Sequence, residues 1–258
     1  MANAWIIPPA GFTASSPNTA LGAPGNLALD YAGIVWRSTA IAAPYVRIDL
    51  GADVPIDTVQ MFGLDGSITT ATFKVYASTA AEGAAARARA SSVFPLLAGS
   101  EMPTSGLGVA LATLPAWPAV RYIDIEFGLA SSYIQVSRVV LGQRIQLERN
   151  FSFGAAFGVR DLGSFEMSAR GVILRRRAKK LRTTALTFSN INKDEVEKLT
   201  APLLERIGNT ELLGLVTNPD PHPLRQRRCY FGPLVGDLSQ VWAKARSFEA
   251  KANMLSIF

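Results

Sequence analysis

Val35-Trp36-Arg37-Ser38, Tyr45-Val46-Arg47-Ile48-Asp49-Leu50-Gly51 and Ile56-Asp57-Thr58-Val59 follow one another within 25 residues, and their pattern decides the fold class. Val46, Ile48 and Leu50 recur at every second position, so they share one face of an extended strand while Arg47 and Asp49 face the other way. Gly51 ends the run where the backbone must reverse. The pattern describes a sheet with one dry face and one wet face. The same alternation returns in Arg121-Tyr122-Ile123-Asp124-Ile125 and in Val136 to Gly142.

In this order, these segments resemble the discoidin or galactose-binding-like jelly roll found in coagulation-factor C-type modules. That family has a Trp-x-Ser turn, an aromatic residue, a hydrophobic-x-Asp-Leu-Gly strand and an Ile-x-x-Val strand. It closes with an Arg-Tyr-Ile-x-Ile strand and a last strand ending in Gly. The resemblance spans roughly the first 140 residues and implies a β-sandwich. It carries no ligand residue across, because the family places its sugar contacts on loops that have no residue-by-residue counterpart here. The carbohydrate-contacting residues are therefore unassigned. Trp36 and Tyr45 have the faces to stack on a pyranose, with Arg37 or Asp49 bonding hydroxyls. The family's corresponding tryptophan mostly builds core, and that reading is preferred for Trp36.

The 258 residues are 48% hydrophobic and 18% charged, with 21 Gly and 15 Pro. This composition excludes a disordered chain and suits many short strands joined by turns. The fold class expected is mainly β: an N-terminal jelly roll over 1–142 and a C-terminal split β-barrel with one packed helix over 143–258. The charge divides at the same place. Residues 1–142 carry 7 basic and 9 acidic side chains, whereas 143–258 carry 19 basic and 11 acidic. The second half is expected to face something acidic.

Strands are expected at Trp5 to Ile7, Ala43 to Leu50, Thr58 to Leu64, Thr72 to Ser78, Ala119 to Phe127 and Ser132 to Leu141. Ala10 to Asn26 reads as an extended lead-in, and the Ala-rich Thr79 to Ala90 as a short helix or loop. In the second half, Ile145 to Phe153 reads as a strand, and Gly163 to Leu174 with Leu181 to Ser189 as a long hairpin. Glu211 to Thr217, Arg227 to Leu234, Val241 to Arg246 and Phe248 to Phe258 read as further strands. A helix is expected over 193–207, opened by an Asn192/Glu195 capping box and stopped at Gly208. Val196, Leu199, Leu203 and Ile207 are its expected buried face, and Pro202 is expected to kink it or split it in two.

A basic strand-rich unit with one amphipathic helix after a long hairpin looks like the split barrel of tailed-phage tail-tube and distal-tail proteins. Joined to a jelly roll, it is similar to proteins at the tip of long-tailed phages, although distal-tail proteins usually place the barrel first. A related tip family carries an iron–sulfur cluster, which a chain with the single cysteine Cys229 has no ligands to hold.

The resemblance implies a structural virion protein in a homo-oligomeric ring, a hexamer before a trimer, contacting tail tube and tip hub proteins. DNA would pass only as cargo, and the protein would be assembled in the host cytoplasm. The jelly roll would then dock tip proteins or touch a host-surface glycan; the alternative is a lectin-like carbohydrate-binding module with an accessory β domain.

Arg175, Arg176, Arg177, Lys179, Lys180 and Arg182 lie within eight residues, expected at the hairpin tip as a contact for an acidic neighbour. No aromatic residue interleaves them, which disfavours nucleic-acid stacking. Arg225, Arg227 and Arg228 near His222 read as a solvated Pro-rich loop. The sequence has no Gly-x-Ser-x-Gly, Gly-rich phosphate loop or His-Glu-x-x-His pattern. Asp124 and Glu126 share a strand face but read as solvated rather than as a glycosidase pair. No enzyme activity, cofactor, metal site, membrane span or signal peptide is expected.

Overall fold

The computed structural model describes residues 2–39, 43–65, 70–128, 133–244 and 246–258. Ser132 and Ala245, each part of an expected strand, lie outside the described residues. The chain divides into two compact units. Unit 1 comprises Met1–Gln146 and Gly214–Cys229, and unit 2 comprises Leu147–Leu213 and Tyr230–Phe258. Residues 214–229 thus belong with the first unit, although in sequence they lie far beyond Gly142.

In chain order the first strands are β1 (Trp5–Ile7), β2 (Thr13–Ser15), β3 (Thr19–Leu21), β4 (Trp36–Ser38), β5 (Tyr45–Val54) and β6 (Thr58–Asp65). There follow β7 (Thr72–Ser78), β8 (Arg89–Pro95), β9 (Leu107–Thr113), β10 (Val120–Gly128), β11 (Gln135–Val136) and β12 (Arg138–Gly142). A five-stranded antiparallel sheet in the order β2-β5-β10-β7-β8 and a three-stranded sheet β12-β6-β9 contribute to one core. A third small sheet runs β11-β4-β3. The core takes Val46 and Ile48 from β5, Phe73 and Val75 from β7, and Ile123, Ile125 and Phe127 from β10. These are the alternate positions that the period-2 pattern assigns to the dry face. Residues 10–26 are more than a lead-in: β2 pairs with β5 and β3 with β4.

β6 is buried on both sides, so its run Thr58-Val59-Gln60-Met61-Phe62 is nearly continuous in burial. Val59 and Met61 belong to the sandwich core. On Gln60's side, Gly214 approaches so closely that a Cβ there would stand 2.3 Å from Oε1. Gly214 belongs to β17 (Leu212–Val216), which pairs with β1 through Trp5↔Val216 and Ile7↔Gly214. This close layer over β6 is the packing reason that 214–229 belongs to unit 1.

Unit 2 contains β13 (Ala156–Asp161), β14 (Ser164–Met167), β15 (Ile173–Arg176) and β16 (Lys180–Asn192). After β17 come β18 (Cys229–Pro233), β19 (Gln240–Lys244) and β20 (Ser247–Ser256). The sheet β13-β16-β20-β19 is antiparallel throughout and, among the described residues, open at both ends, so the expected barrel is an unclosed sheet. Ile145 to Phe153 is not a strand: Ile145 makes one isolated bridge to Ile6, and the rest is irregular. Its apolar alternation of Ile145, Leu147, Phe151 and Phe153 is interrupted at Arg149.

The helical segment runs as α1 (Lys193–Glu195), a π turn (Val196–Thr200) and α2 (Ala201–Ile207). The capping box forms, with the Asn192 N–H donating to Glu195 Oε2 at 3.2 Å. Pro202 sits in the first turn of α2, where its missing N–H is tolerated, and a π turn directly precedes it, so the segment is divided there. That turn also changes the buried face to Val196, Thr200, Leu203 and Ile207, leaving Leu199 exposed. Thr200 Oγ1 accepts a hydrogen bond from Gln240 Nε2 at 2.7 Å.

Candidate functional surfaces

Antiparallel pairing puts the start of β5 beside the end of β10 (Tyr45↔Glu126) and the start of β7 beside the same end (Thr72↔Gly128). These strand ends therefore lie together at one end of the sandwich. The chain enters β11 there, and β11 pairs with β4 through Gln135↔Arg37. Four side chains meet at this place. The Arg37 guanidinium lies 4.2 Å from the centre of the Tyr133 ring, and Arg37 Nη2 donates to Gln135 Oε1 at 2.7 Å. The Tyr133 hydroxyl donates to Asp65 Oδ2 at 3.2 Å. An aromatic face is thus set among an amide, a carboxylate and a guanidinium, all partly exposed. Arg37 was a candidate from the sequence, but Asp65, Tyr133 and Gln135 were not. Their only signal is an aromatic residue after Ser131-Ser132 and before an alternating Ile-Gln-Val entry.

Trp36 is fully buried: its ring stacks on Phe127 with centroids 6.2 Å apart, and its Nε1 donates to Thr19 Oγ1 at 3.0 Å. It builds core and has no face to offer a sugar. Tyr45 lies on the outer face of the five-stranded sheet beneath the Arg87 guanidinium, 4.8 Å from its ring centre. Asp49 is held by Arg121, whose Nε donates at 2.8 Å, and this bond draws the Asp49 carboxyl below its ordinary pKa.

Asp124 and Glu126 occupy the same outer face. Arg47 donates to both oxygens of Asp124, Arg87 donates to Asp124 at 2.8 Å, and Arg87 reaches Glu126 at 2.7 Å. The hydrogen bond to Asp124 raises the Arg47 pKa. Both carboxylates are thus held in ion pairs, an arrangement suited to tying strands together. At its edge, Arg89 pairs with Glu82 and pulls that carboxyl down to about 2. Thr79 to Ala90 is a turn-rich loop leading into β8 rather than a helix.

The six cations of the basic run do not lie at a hairpin tip. Gly171, at φ +76°, turns the chain within 168–172, so the tip lies there and the basic run connects β15 to β16. Arg175 and Arg176 are adjacent on β15 and project to opposite faces, opposite Phe165 and Ser164 respectively. Lys179 Nζ donates to the Ile257 carbonyl at 2.6 Å, and burial lowers its pKa. Lys180 stands 3.9 Å from Asp161, and Arg182 reaches the Phe258 oxygen and lies over Tyr230. Arg177 is exposed. Lys179, Lys180 and Arg182 thus have partners within the chain, while Arg175, Arg176 and Arg177 are exposed.

His222 is exposed, with Nδ1 accepting the Leu224 N–H at 3.0 Å. In the neighbouring turn only Gln226 is fully buried: it accepts from the Val109 N–H at 2.9 Å and donates to the carbonyls of Gly99 and Glu101. Among the described residues no group of three His, Cys, Asp or Glu side chains is placed to hold a metal, and no helix is long and apolar enough to cross a membrane.

No protein-family model matches the chain, and no curated protein does. Solved structures similar to it include the lectin domain of lectinolysin complexed with Lewis B antigen, at 17% identity and TM-score 0.40 over 52% of this chain and 93% of that one. A carbohydrate-binding module from Clostridium perfringens, in complex with GalNAc-β-1,3-galactose, is 9% identical with TM-score 0.41, over 54% of this chain and 99% of that one. A Streptococcus pneumoniae fucose binding module is 14% identical with TM-score 0.38, over 51% and 89%. Each likeness covers about half of the chain.

Proposed function

We propose that unit 1 is a lectin-like carbohydrate-binding module. The observation that carries this reading is the group at that end of the sandwich: the Tyr133 ring with Arg37, Gln135 and Asp65 around it. A pyranose presents an apolar face to an aromatic ring and hydroxyls that need donors and acceptors at fixed positions, and these four side chains supply both. The test is a glycan array followed by calorimetry on the full chain. Selective binding that disappears in Tyr133→Ala and weakens at least tenfold in Asp65→Asn supports the reading. Uniform silence across the array, or binding unchanged in both variants, rejects it.

The exposed apolar surface of unit 2 favours a second reading: a structural component of a phage tail tip, in a homo-oligomeric ring touching tail-tube and hub proteins, with unit 1 turned toward host glycans. Phe157, Val159, Phe165, Met167, Ile173 and Leu174 all stand exposed on the segment that also carries the basic run. A soluble monomer rarely leaves so many large apolar side chains uncovered on one short stretch. Electron microscopy of the purified chain tests this reading through closed rings, hexameric before trimeric.

A further inference from the structure

We propose that the β14–β15 hairpin of unit 2 docks on an anionic lipid bilayer, with its apolar end seated in the interface and its basic base against the lipid phosphates. The proposal goes beyond both readings above and needs neither of them.

The first ground is that the hairpin has no core. β14 and β15 pair with each other and, among the described residues, with no other strand. Every residue of both strands is exposed. A two-stranded ribbon standing alone is marginal in water and is stabilised when an apolar face is covered. Here Phe165, Met167, Val172, Ile173 and Leu174 are each more than half exposed. Cross-strand pairing sets Met167 beside Ile173, and Phe165 follows on the same face, where its partner is Arg175. One face of the ribbon is therefore an apolar strip that ends in a cation.

The second ground is that charge is segregated along the hairpin. Residues 164–174 hold the turn and all five apolar side chains, and their only charges are Glu166 and Arg170, which cancel. Residues 175–182 carry six cations and no acid. Arg175, Arg176 and Arg177 have no hydrogen-bond or ion-pair partner among the described residues. Three residues separate Ile173 from Arg176, about 10 Å along a strand. Amphipathic segments enter the bilayer interface by about 5–10 Å. With the apolar end at that depth, the three guanidinium groups stand at the level of the phosphates, which arginine binds through paired hydrogen bonds. Arg170 reaches back to the headgroups on its long stem. Water still reaches the outward N–H groups of the two strands at this depth, whereas a deeper position would leave them unpaired.

The same two features select the occupant. A second copy of the hairpin would bring its six cations against the same six. Nucleic acid would take the cations but offers no apolar phase to Met167, Ile173 and Leu174, and no aromatic residue interleaves the basic run. An anionic bilayer supplies an apolar interior directly beneath a layer of negative charge.

Vesicle co-sedimentation of the full chain tests the proposal, with vesicles of phosphatidylcholine alone or mixed equally with phosphatidylglycerol. The chain should bind the mixed vesicles and not the neutral ones, and binding should fall as salt rises. Arg175→Gln, Arg176→Gln and Arg177→Gln combined should weaken binding roughly a hundredfold. Ile173→Ser with Leu174→Ser should weaken it roughly tenfold. All five positions are exposed, and an unchanged far-UV spectrum checks folding. Phe165→Trp gives a readout that requires no loss of binding: its emission should shift to the blue on mixed vesicles and be quenched by lipids brominated in the acyl chain. A wild-type chain that ignores the mixed vesicles overturns the proposal and leaves an acidic protein surface as the occupant. Binding undiminished in the Ile173→Ser, Leu174→Ser variant, or an unquenched Phe165→Trp, would reduce the contact to adsorption by charge and overturn it as well. The vesicles carry no glycan, so failure here leaves the carbohydrate-binding reading of unit 1 standing.

Discussion

Arg47 donates from Nε and Nη2 to the two carboxylate oxygens of Asp124, each at 2.8 Å, across the β5–β10 pair. Asp124 is almost fully buried although it lies on the outer face, because Arg47 and Arg87 close over it. This explains how a sheet face rich in charge is held together. Removing Asp124 leaves two partly buried guanidinium groups without their shared counter-ion. Asp124→Ala should lower unfolding stability by about 3 kcal/mol, near the low end for a broken buried pair because the arginines retain some solvent. Urea denaturation reads this directly. Arg47→Lys, which cannot form the paired contact, should lose less.

The Glu82–Arg89 bridge predicts an acid response. Arg89 holds the Glu82 carboxyl at about 2, below its ordinary 4.5. A depressed folded-state value means that the bridge stabilises the fold above pH 4.5 and that this contribution is lost as pH falls toward about 2. A carboxyl-detected NMR titration should place the Glu82 midpoint near the lower value, and Arg89→Gln should return it toward the upper one. A midpoint unmoved by Arg89→Gln would assign the depression to the Thr79 N–H, which also donates to Glu82.

Gln226 ties the returning segment 214–229 into unit 1. Its amide is fully buried, and it is the acceptor for the Val109 N–H on β9. Gln226→Leu keeps the bulk but leaves that N–H and two carbonyls without their partner, which should cost about 1–3 kcal/mol. Hydrogen exchange should show the Val109 amide losing protection more than the amides of β10.

The alternation in β5 and β10 was legible because the spacing of Val46, Ile48, Ile123 and Ile125 is a local property, fixed by the pleat. The burial of Trp36 was expected from the family resemblance, which gives the corresponding tryptophan to the core. Three features were not legible. Trp5 meets Val216, and no local pattern announces a pairing over that separation. Leu199 faces solvent because the π turn shifts the helix face, and helical spacing alone cannot show a π turn. The rim of Asp65, Tyr133 and Gln135 comes from segments with no shared motif, brought to Arg37 only by the order of the strands. The place of the hairpin tip was not legible either, since Gly171 turns the chain before the basic run.

Gly63 sits in the bulge of β6 at φ +72°, where a Cβ would come within 2.1 Å of Ser137 Oγ. Two separable penalties follow for Gly63→Ala: left-handed backbone strain and a clash with Ser137. Together they should cost about 2 kcal/mol or more, measured by thermal or urea unfolding. Ser137→Gly removes the Oγ and the Cβ that the new methyl would meet most closely; the next atom, the Ser137 backbone nitrogen, stands at 3.3 Å. The double variant should therefore be more stable than the sum of the single effects implies, with a coupling on the order of 1 kcal/mol. The backbone strain should remain, so the double variant should still fall below Ser137→Gly alone. Strict additivity would mean that the strand relaxes away from Ser137, and that the φ of Gly63 alone makes the position intolerant.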